Sequence, residues 1–385
     1  MKLKPFVHYI LSRIFAKANH LIPKDERVIM FISTPDFSDN PRYLYEKAKD
    51  LLEGYTFVWV VSDKGKFQDL EDDSTVFVQY RTIEYLKWIL RAKYLVLSHG
   101  VPYWKSGNQV AILLWHGIPL KAMGASLKTV KVPPWSKWIL NKTDFFIIPS
   151  AFSWLLFKAD VQFTPQEILY FGQPRCDALF MPSQKARENL SQILGADVTE
   201  YTKTIMYLPT FRDYDSKATS RISLELINNS KFRDFLSQNN VLFIVKPHPH
   251  DEKLFEKYES DHIKIVKNEE LLSRFLTLYD ILPAVDILVT DYSSVYFDYL
   301  LLNRPIVFYI PDLEKYRETR GFLLEPYEKW TPGDKARTPE ELVVALEEAI
   351  NNPKKWERER LWLRDVMFKY QDGKASERII KYFWG

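Results

Sequence analysis

Residues 286–310 read DILVTDYSSVYFDYLLLNRPIVFYI and hold the smallest complete piece of the fold. Residues 286–290 and 305–310 are strand-length runs of apolar, β-branched and aromatic side chains. Between them Ser293 or Ser294 suits the N-cap of a helix expected over 294–303. Strand, helix and strand joined by short turns make a βαβ unit, and such units build a parallel sheet covered on both faces. Working outward, the same alternation gives strands at 203–208, 241–246 and 262–266, with helices at 222–238, 270–280 and 339–350. Earlier in the chain, strands are expected at 27–33, 56–61, 75–80, 94–98, 109–115, 145–149 and 168–171, with helices at 41–53, 82–92, 135–142 and 151–160. A polar stretch near 183–202 separates the two series. The chain therefore divides into an N-terminal helix at 1–22, a doubly wound α/β unit at 23–190, a second at 200–360, and a helical tail at 361–385.

Composition narrows the function. The 385 residues are 46% hydrophobic and 27% charged, enough apolar surface for packed cores, which excludes a disordered chain. A net charge of +3 argues against a dedicated nucleic-acid binder. The single cysteine, Cys176, excludes an internal disulfide framework and a cysteine zinc site. No G-x-G dinucleotide fingerprint, P-loop or H-E-x-x-H is present, and no apolar run reaches the ~18 residues of a membrane span. Residues 1–22 place Val7, Ile10, Leu11, Ile14, Phe15, Ala18, Leu21 and Ile22 at helical spacing, with Lys2, Lys4, Arg13 and Lys17 as the charges. Two readings fit: a helix lying on an anionic membrane surface, or one packed on the first domain.

Ligands of open α/β sheets bind outside the carboxyl ends of the strands. Four stretches put polar chemistry there. His116 ends an apolar run in LWHGIPLK (114–121) and is placed as a general base or as a hydrogen-bonded turn histidine; His99 in LSHG (97–100) lines the same crevice or caps a strand. Arg212 follows a strand and offers a planar fork for phosphate, or sits on a solvated loop beside Asp213. Lys246-Pro-His248-Pro-His250 is a stiff turn carrying three basic side chains. Asp291-Tyr-Ser293-Ser294 precedes a helix whose free N–H groups suit a phosphate, capping being the plainer role. Asp213-Tyr-Asp215 matches a metal-holding D-x-D spacing that arises easily by chance.

In order, W-H-G-x-P-L-K (115–121), K-P-H-P (246–249), D-Y-S-S-x-x-F-D (291–298), L-L-L-N-R-P-I-V-F-Y (300–309), D-L-E-K-Y-R (312–317) and R-G-F (320–322) resemble the CDP-glycerol glycerophosphotransferases of teichoic acid synthesis, over roughly residues 90–325. The resemblance implies an α/β fold of GT-B type, two Rossmann-like doubly wound domains facing an interdomain cleft. It implies transfer of glycerol phosphate from CDP-glycerol to a hydroxyl of a polyprenyl-diphosphate-linked disaccharide, with CMP leaving and no cofactor or metal. His116 would be the base; His248, Arg212, Lys246, Ser293 and Ser294 would hold the diphosphate, Asp291 would orient this loop or touch substrate, and His99 and Lys121 would lie on the acceptor side. The enzyme would sit peripherally on the cytoplasmic face of the membrane. Ile118 stands where the family pattern has Thr, and 98–108 is not the Asn-rich form of the polymerases. A chain of this length, without the extra N-terminal region of long polymerases, is more similar to the primases. The alternatives are a GT-B transferase using CDP-ribitol or a UDP-sugar, and a non-catalytic membrane assembly partner.

Overall fold

The computed structural model describes residues 3–102, 104–123, 126, 142–161, 164–215, 217–247 and 251–385. The described chain forms two compact units. The first comprises 1–116, 132–177 and 372–385, and the second 117–131 and 178–371.

The first unit is built on strands β1 (Asp25–Ile32), β2 (Thr56–Val61), β3 (Thr75–Gln79), β4 (Ala92–Leu97), β5 (Val110–Leu113), β6 (Phe145–Ile147) and β7 (Glu167–Leu169). They pair in the order β3-β2-β1-β4-β5-β6-β7, and every pairing is parallel. The strands are apolar along their length because both faces are covered. One face packs Met30, Val58, Val60, Leu95 and Leu113 against Tyr85, Ile89 and Phe157 from helices. The other is an aromatic layer in which Phe31 stacks on Trp59 at 5.0 Å and Phe67 on Phe77 at 5.3 Å. Much of the aromatic content is thus core.

The second unit contains β8 (Lys203–Leu208), β9 (Val241–Val245), β10 (Ile263–Ile265), β11 (Ile287–Thr290), β12 (Ile306–Tyr309) and β13 (Asp334–Ala336). Their order is β10-β9-β8-β11-β12-β13, again all parallel. Each sheet reverses its winding once, between β1 and β4 and between β8 and β11, and such a switch point is where doubly wound sheets open to ligand.

Several expectations change in detail. The helix expected over 222–238 is two helices, Ala218–Asn228 and Ser230–Gln238, broken where Asn229 caps the second through Phe232 N. The one expected over 294–303 is a single α-turn, Val295–Tyr299, followed by a 3-10 turn. The helix expected over 135–142 lies, but for residue 142, outside the described residues. The boundary between units falls at 177/178 rather than near 190–200, and residues 117–131 join the second unit. The tail divides: Glu357–Met367 stays with the second unit, while Ala375–Phe383 returns to the first. There the Asp177 carboxylate accepts the N–H groups of Ala375 and Ser376, both at 2.8 Å.

The N-terminal helix Leu3–His20 is also anchored to the first unit. Phe15 packs on its core, Asn19 Nδ2 donates to Gln109 Oε1 at 3.0 Å, and Lys24 Nζ donates to the Asn19 and Leu90 carbonyls. Leu21, just past its end, stays 83% exposed.

Strand β13 was not expected, because Asp-Lys-Ala has no strand signature. Gly333 admits it: a Cβ there would stand 1.9 Å from the Ile306 carbonyl oxygen. Gly333→Ala is expected to lower the unfolding free energy by about 1–3 kcal/mol, read by denaturant titration.

Candidate active site

Both candidate histidines of the first unit follow strands at the carboxyl edge of its sheet, His99 after β4 and His116 after β5. Their rings stack with centroids 4.3 Å apart and 16° between planes, and Trp115 flanks His116 at 4.2 Å. His99 Nδ1 meets the Ser98 hydroxyl at 2.8 Å, and His116 Nδ1 lies 3.3 Å from the Ser98 carbonyl. A carbonyl only accepts, so the proton of the neutral imidazole is assigned to Nδ1 and the basic lone pair to Nε2. Burial, reinforced by His99, pushes His116 down to about 4, against the opposing pull of Asp39. Burial also lowers His99. His116 is therefore uncharged at neutral pH.

The turn bearing His116 is held from elsewhere. Trp115 adopts φ 56° and Gly117 φ 136°, a region that a side chain at 117 would find strained. Buried Asn40 donates to the Trp115 carbonyl at 2.8 Å and accepts the Arg175 N–H at 3.0 Å. Arg175 Nη1 donates to the His116 carbonyl at 2.8 Å and to Asp39 at 3.0 Å. Sequence reasoning missed Asp39, Asn40 and Arg175, since no spacing links them to His116.

In the second unit, Arg212 is the centre of a buried ionic cluster and is 1% exposed. Nη1 donates to Asp291 Oδ2 and the Thr210 carbonyl, while Nε and Nη2 reach both oxygens of Asp312 at 3.1 and 2.9 Å. Asp312 also accepts the hydroxyls of Tyr292 and Tyr214. Asp291 accepts the N–H groups of Thr210 and Tyr292, and the Tyr292 ring faces the guanidinium at 4.8 Å. Burial would raise Asp312, but Arg212 and the two tyrosines outweigh it and hold the carboxyl below its usual range. The cluster ties together the loops that follow β8, β11 and β12.

Around these loops stand the other expected groups. Half-buried Lys246 donates one N–H to Asn268 Oδ1 at 2.6 Å, and burial lowers its pKa despite Glu252 nearby. Ser293 and Ser294 are half-buried. Ser294 sits at the N-cap with helical φ −67° and ψ −8° and makes no side-chain cap bond. Lys121 pairs with Phe322 in an isolated antiparallel bridge, and Arg320 Nε donates to the Ala122 carbonyl at 3.0 Å. Burial and then Arg320 lower the Lys121 ammonium. Among the described residues no group of three or more His, Cys, Asp or Glu is placed to hold a metal ion.

Residues 14–385 match the CDP-glycerol:poly(glycerophosphate) glycerophosphotransferase family. The chain belongs to this family. It is a CDP-glycerol glycerophosphotransferase of wall teichoic acid synthesis. It is 29% identical to the teichoic acid poly(glycerol phosphate) polymerase of Bacillus spizizenii, over 100% of this chain and 98% of that protein. It is 32% identical to the teichoic acid glycerol-phosphate primase of Bacillus subtilis, over 63% of this chain and 58% of that protein. Among solved structures it is similar to the wall teichoic acid polymerase TagF, at 25% identity and a TM-score of 0.80, with 97% of this chain and 91% of that one covered. The α/β architecture of GT-B type is thereby established for the glycerophosphotransferase.

Three expected placements need correction. Arg212 is not a phosphate clamp, because its donors are committed to Asp291, Asp312 and Thr210 and no face is left to solvent. Asp291 is fully buried in the same cluster, so of its two expected roles its placement fits orienting the loop and not substrate contact. Lys121 falls in the second unit, not in the first domain with His99 and His116. His248 and His250 lie outside the described residues.

Removing one partner of a buried ion pair strands the other charge. Arg212→Met and Asp291→Asn are each expected to lower the unfolding free energy by about 3–5 kcal/mol, with the double variant losing less than the sum, read by denaturant titration.

Proposed function

We propose that this glycerophosphotransferase moves glycerol phosphate from CDP-glycerol to a hydroxyl of a polyprenyl-diphosphate-linked disaccharide, releasing CMP, as a priming reaction. The observation that carries the reading is the neutral, Nδ1-anchored His116 at the ligand edge of its sheet. The acceptor hydroxyl attacks the glycerol-bearing phosphorus in line, a P–O bond forms to the acceptor, and the P–O bond to CMP breaks. His116 Nε2 takes the hydroxyl proton, a contribution of ~10²–10⁴-fold. Asp39 favours the imidazolium that results. Lys246, Lys121, His248, Ser293 and Ser294 supply charge and hydrogen bonds to the diphosphate. Arg212 and Asp291 act through the loops they hold.

The test is CMP release from CDP-glycerol with and without the lipid-linked disaccharide. His116→Ala is expected to cut acceptor-dependent release by ~10²–10⁴-fold with CDP-glycerol affinity unchanged. An equal loss of donor affinity overturns the base assignment. Mass spectrometry of the product should show one or a few added units, and a long polymer overturns priming.

Because folded His116 sits near 4 rather than 6.5, it stays unprotonated until well below neutrality. The acid limb of kcat/KM should accordingly fall near pH 4, and a limb near 6.5 would assign the proton to another group.

We place the enzyme on the cytoplasmic face of the membrane, held peripherally. Among the described residues no helix is long and apolar enough to cross a membrane. A groove of about 610 Å³ is lined by Arg13, Lys17, His20 and Lys142, beside exposed Leu21, with Lys105 at its base paired to Asp144 at 2.9 Å. Burial and then the charges of Lys105 and Arg13 push Lys142 down to about 8. Concentrated positive charge beside apolar side chains suits anionic headgroups. Arg13→Ala with Lys17→Ala is expected to weaken binding to phosphatidylglycerol vesicles by roughly 1 kcal/mol per charge, as salt should also do. Flotation unaltered by both treatments rejects this surface.

A further inference from the structure

The first unit contains an apolar cavity of about 950 Å³ that neither the histidine pair nor the basic groove uses. It opens at the carboxyl ends of β1 to β4. Ile32 and Val60 line it from strand ends, Leu86 and Ile89 from helix Ile83–Arg91, Val101 from the loop after β4, and Phe15 from the N-terminal helix.

Its polar groups are largely turned on one another. Trp104 Nε1 donates to the Tyr85 hydroxyl at 2.9 Å. The Thr82 hydroxyl donates to the Gln79 carbonyl and accepts the Tyr85 N–H. Such a lining offers water few partners and favours hydrocarbon. One full charge lines the space: Arg81 is exposed, lies over the Tyr80 ring at 5.0 Å, and has no ion pair among the described residues. Ile83, 76% exposed, and Leu86, 40% exposed, bring apolar surface to the same helix end. The wall at Gly100 is covalently continuous with His99, whose ring stacks on His116.

We propose that this cavity takes the isoprenoid tail of the lipid carrier, with Arg81 meeting the carrier's diphosphate. The proposal rests on the reading that the acceptor is polyprenyl-linked. A tail without polar atoms matches a lining with few left to satisfy, and burying it removes apolar surface from water. The cationic mouth distinguishes a diphosphate carrier from a neutral hydrocarbon. Seating the proximal tail here sets the disaccharide within reach of the histidine pair, because the cavity wall and His99 are one stretch of backbone.

The test pairs a binding arm with a turnover arm. In the first, farnesyl diphosphate is titrated by calorimetry into the full chain, and lysophosphatidylglycerol serves as the acyl-chain control. Wild type should bind the prenyl diphosphate, and Leu86→Trp, which fills the cavity from a part-exposed position, should weaken it about tenfold. Arg81→Ala, which leaves the apolar part of the lining intact, should weaken it similarly. Equal affinity for lysophosphatidylglycerol, or affinity unaltered by Leu86→Trp and Arg81→Ala, overturns the proposal. In the second arm, KM for the acceptor should fall from a geranyl to a long polyprenyl tail in wild type and vary little with tail length in Leu86→Trp, with KM for CDP-glycerol unchanged. Should no acceptor of any tail length be turned over, the proposed function fails, while the farnesyl diphosphate titration still decides the cavity.

Discussion

A guanidinium with 1% exposure must find its solvation inside the protein, and Arg212 finds it in two carboxylates, a carbonyl and an aromatic face. That requirement governs the second unit. Its loops after β8, β11 and β12 leave separate strands, and without a shared partner each would be free to move alone. Asp291 and Asp312 bring them to one point, and two tyrosine hydroxyls complete the shell of Asp312. Burying three charges is costly, so the cluster does not add stability in proportion to its contacts. What it supplies is a fixed arrangement of the loops that carry the serines and, through Tyr214, the segment after β8.

The first unit solves the matching problem with a smaller ion pair, Arg175 with Asp39, set behind the histidine turn. The His116 imidazole is positioned through its own Nδ1 and through the carbonyl of its residue, which Arg175 holds. Asn40 pins the preceding carbonyl. The left-handed φ of Trp115 is thus supported on both sides by hydrogen bonds from distant segments. Burial keeps the ring neutral, and the nearby Asp39 keeps protonation from being prohibitive.

Most of the fold was legible because strands buried on both faces must be apolar throughout, and runs such as VLFIV at 241–245 declare themselves. The sites at strand ends were legible for a related reason: His99, His116, Lys246 and Asp291 interrupt or end apolar runs where turns begin. What was not legible depends on separation along the chain. The counter-ions of Arg212 lie 79 and 100 residues away, so its burial left no local trace. Asn40 and Arg175 meet across 135 residues. Strand β13 is polar and short, and it exists because β12 offers an edge and Gly333 allows the approach. The single-turn helix after Ser294 was read as a longer one because Leu300–Leu302 continue the apolar pattern into a 3-10 turn.

The return of Ala375–Phe383 to the first unit, held by Asp177, has a bearing on biosynthesis. A ribosome releases the chain from its amino end, so the seven strands of the first sheet emerge ahead of residues 178–371, yet a helix that covers them follows those residues. Nearly all of the second unit is synthesised in the interval. The later-made unit can therefore finish first, while the earlier one waits with a face uncovered until residues 375–383 have emerged.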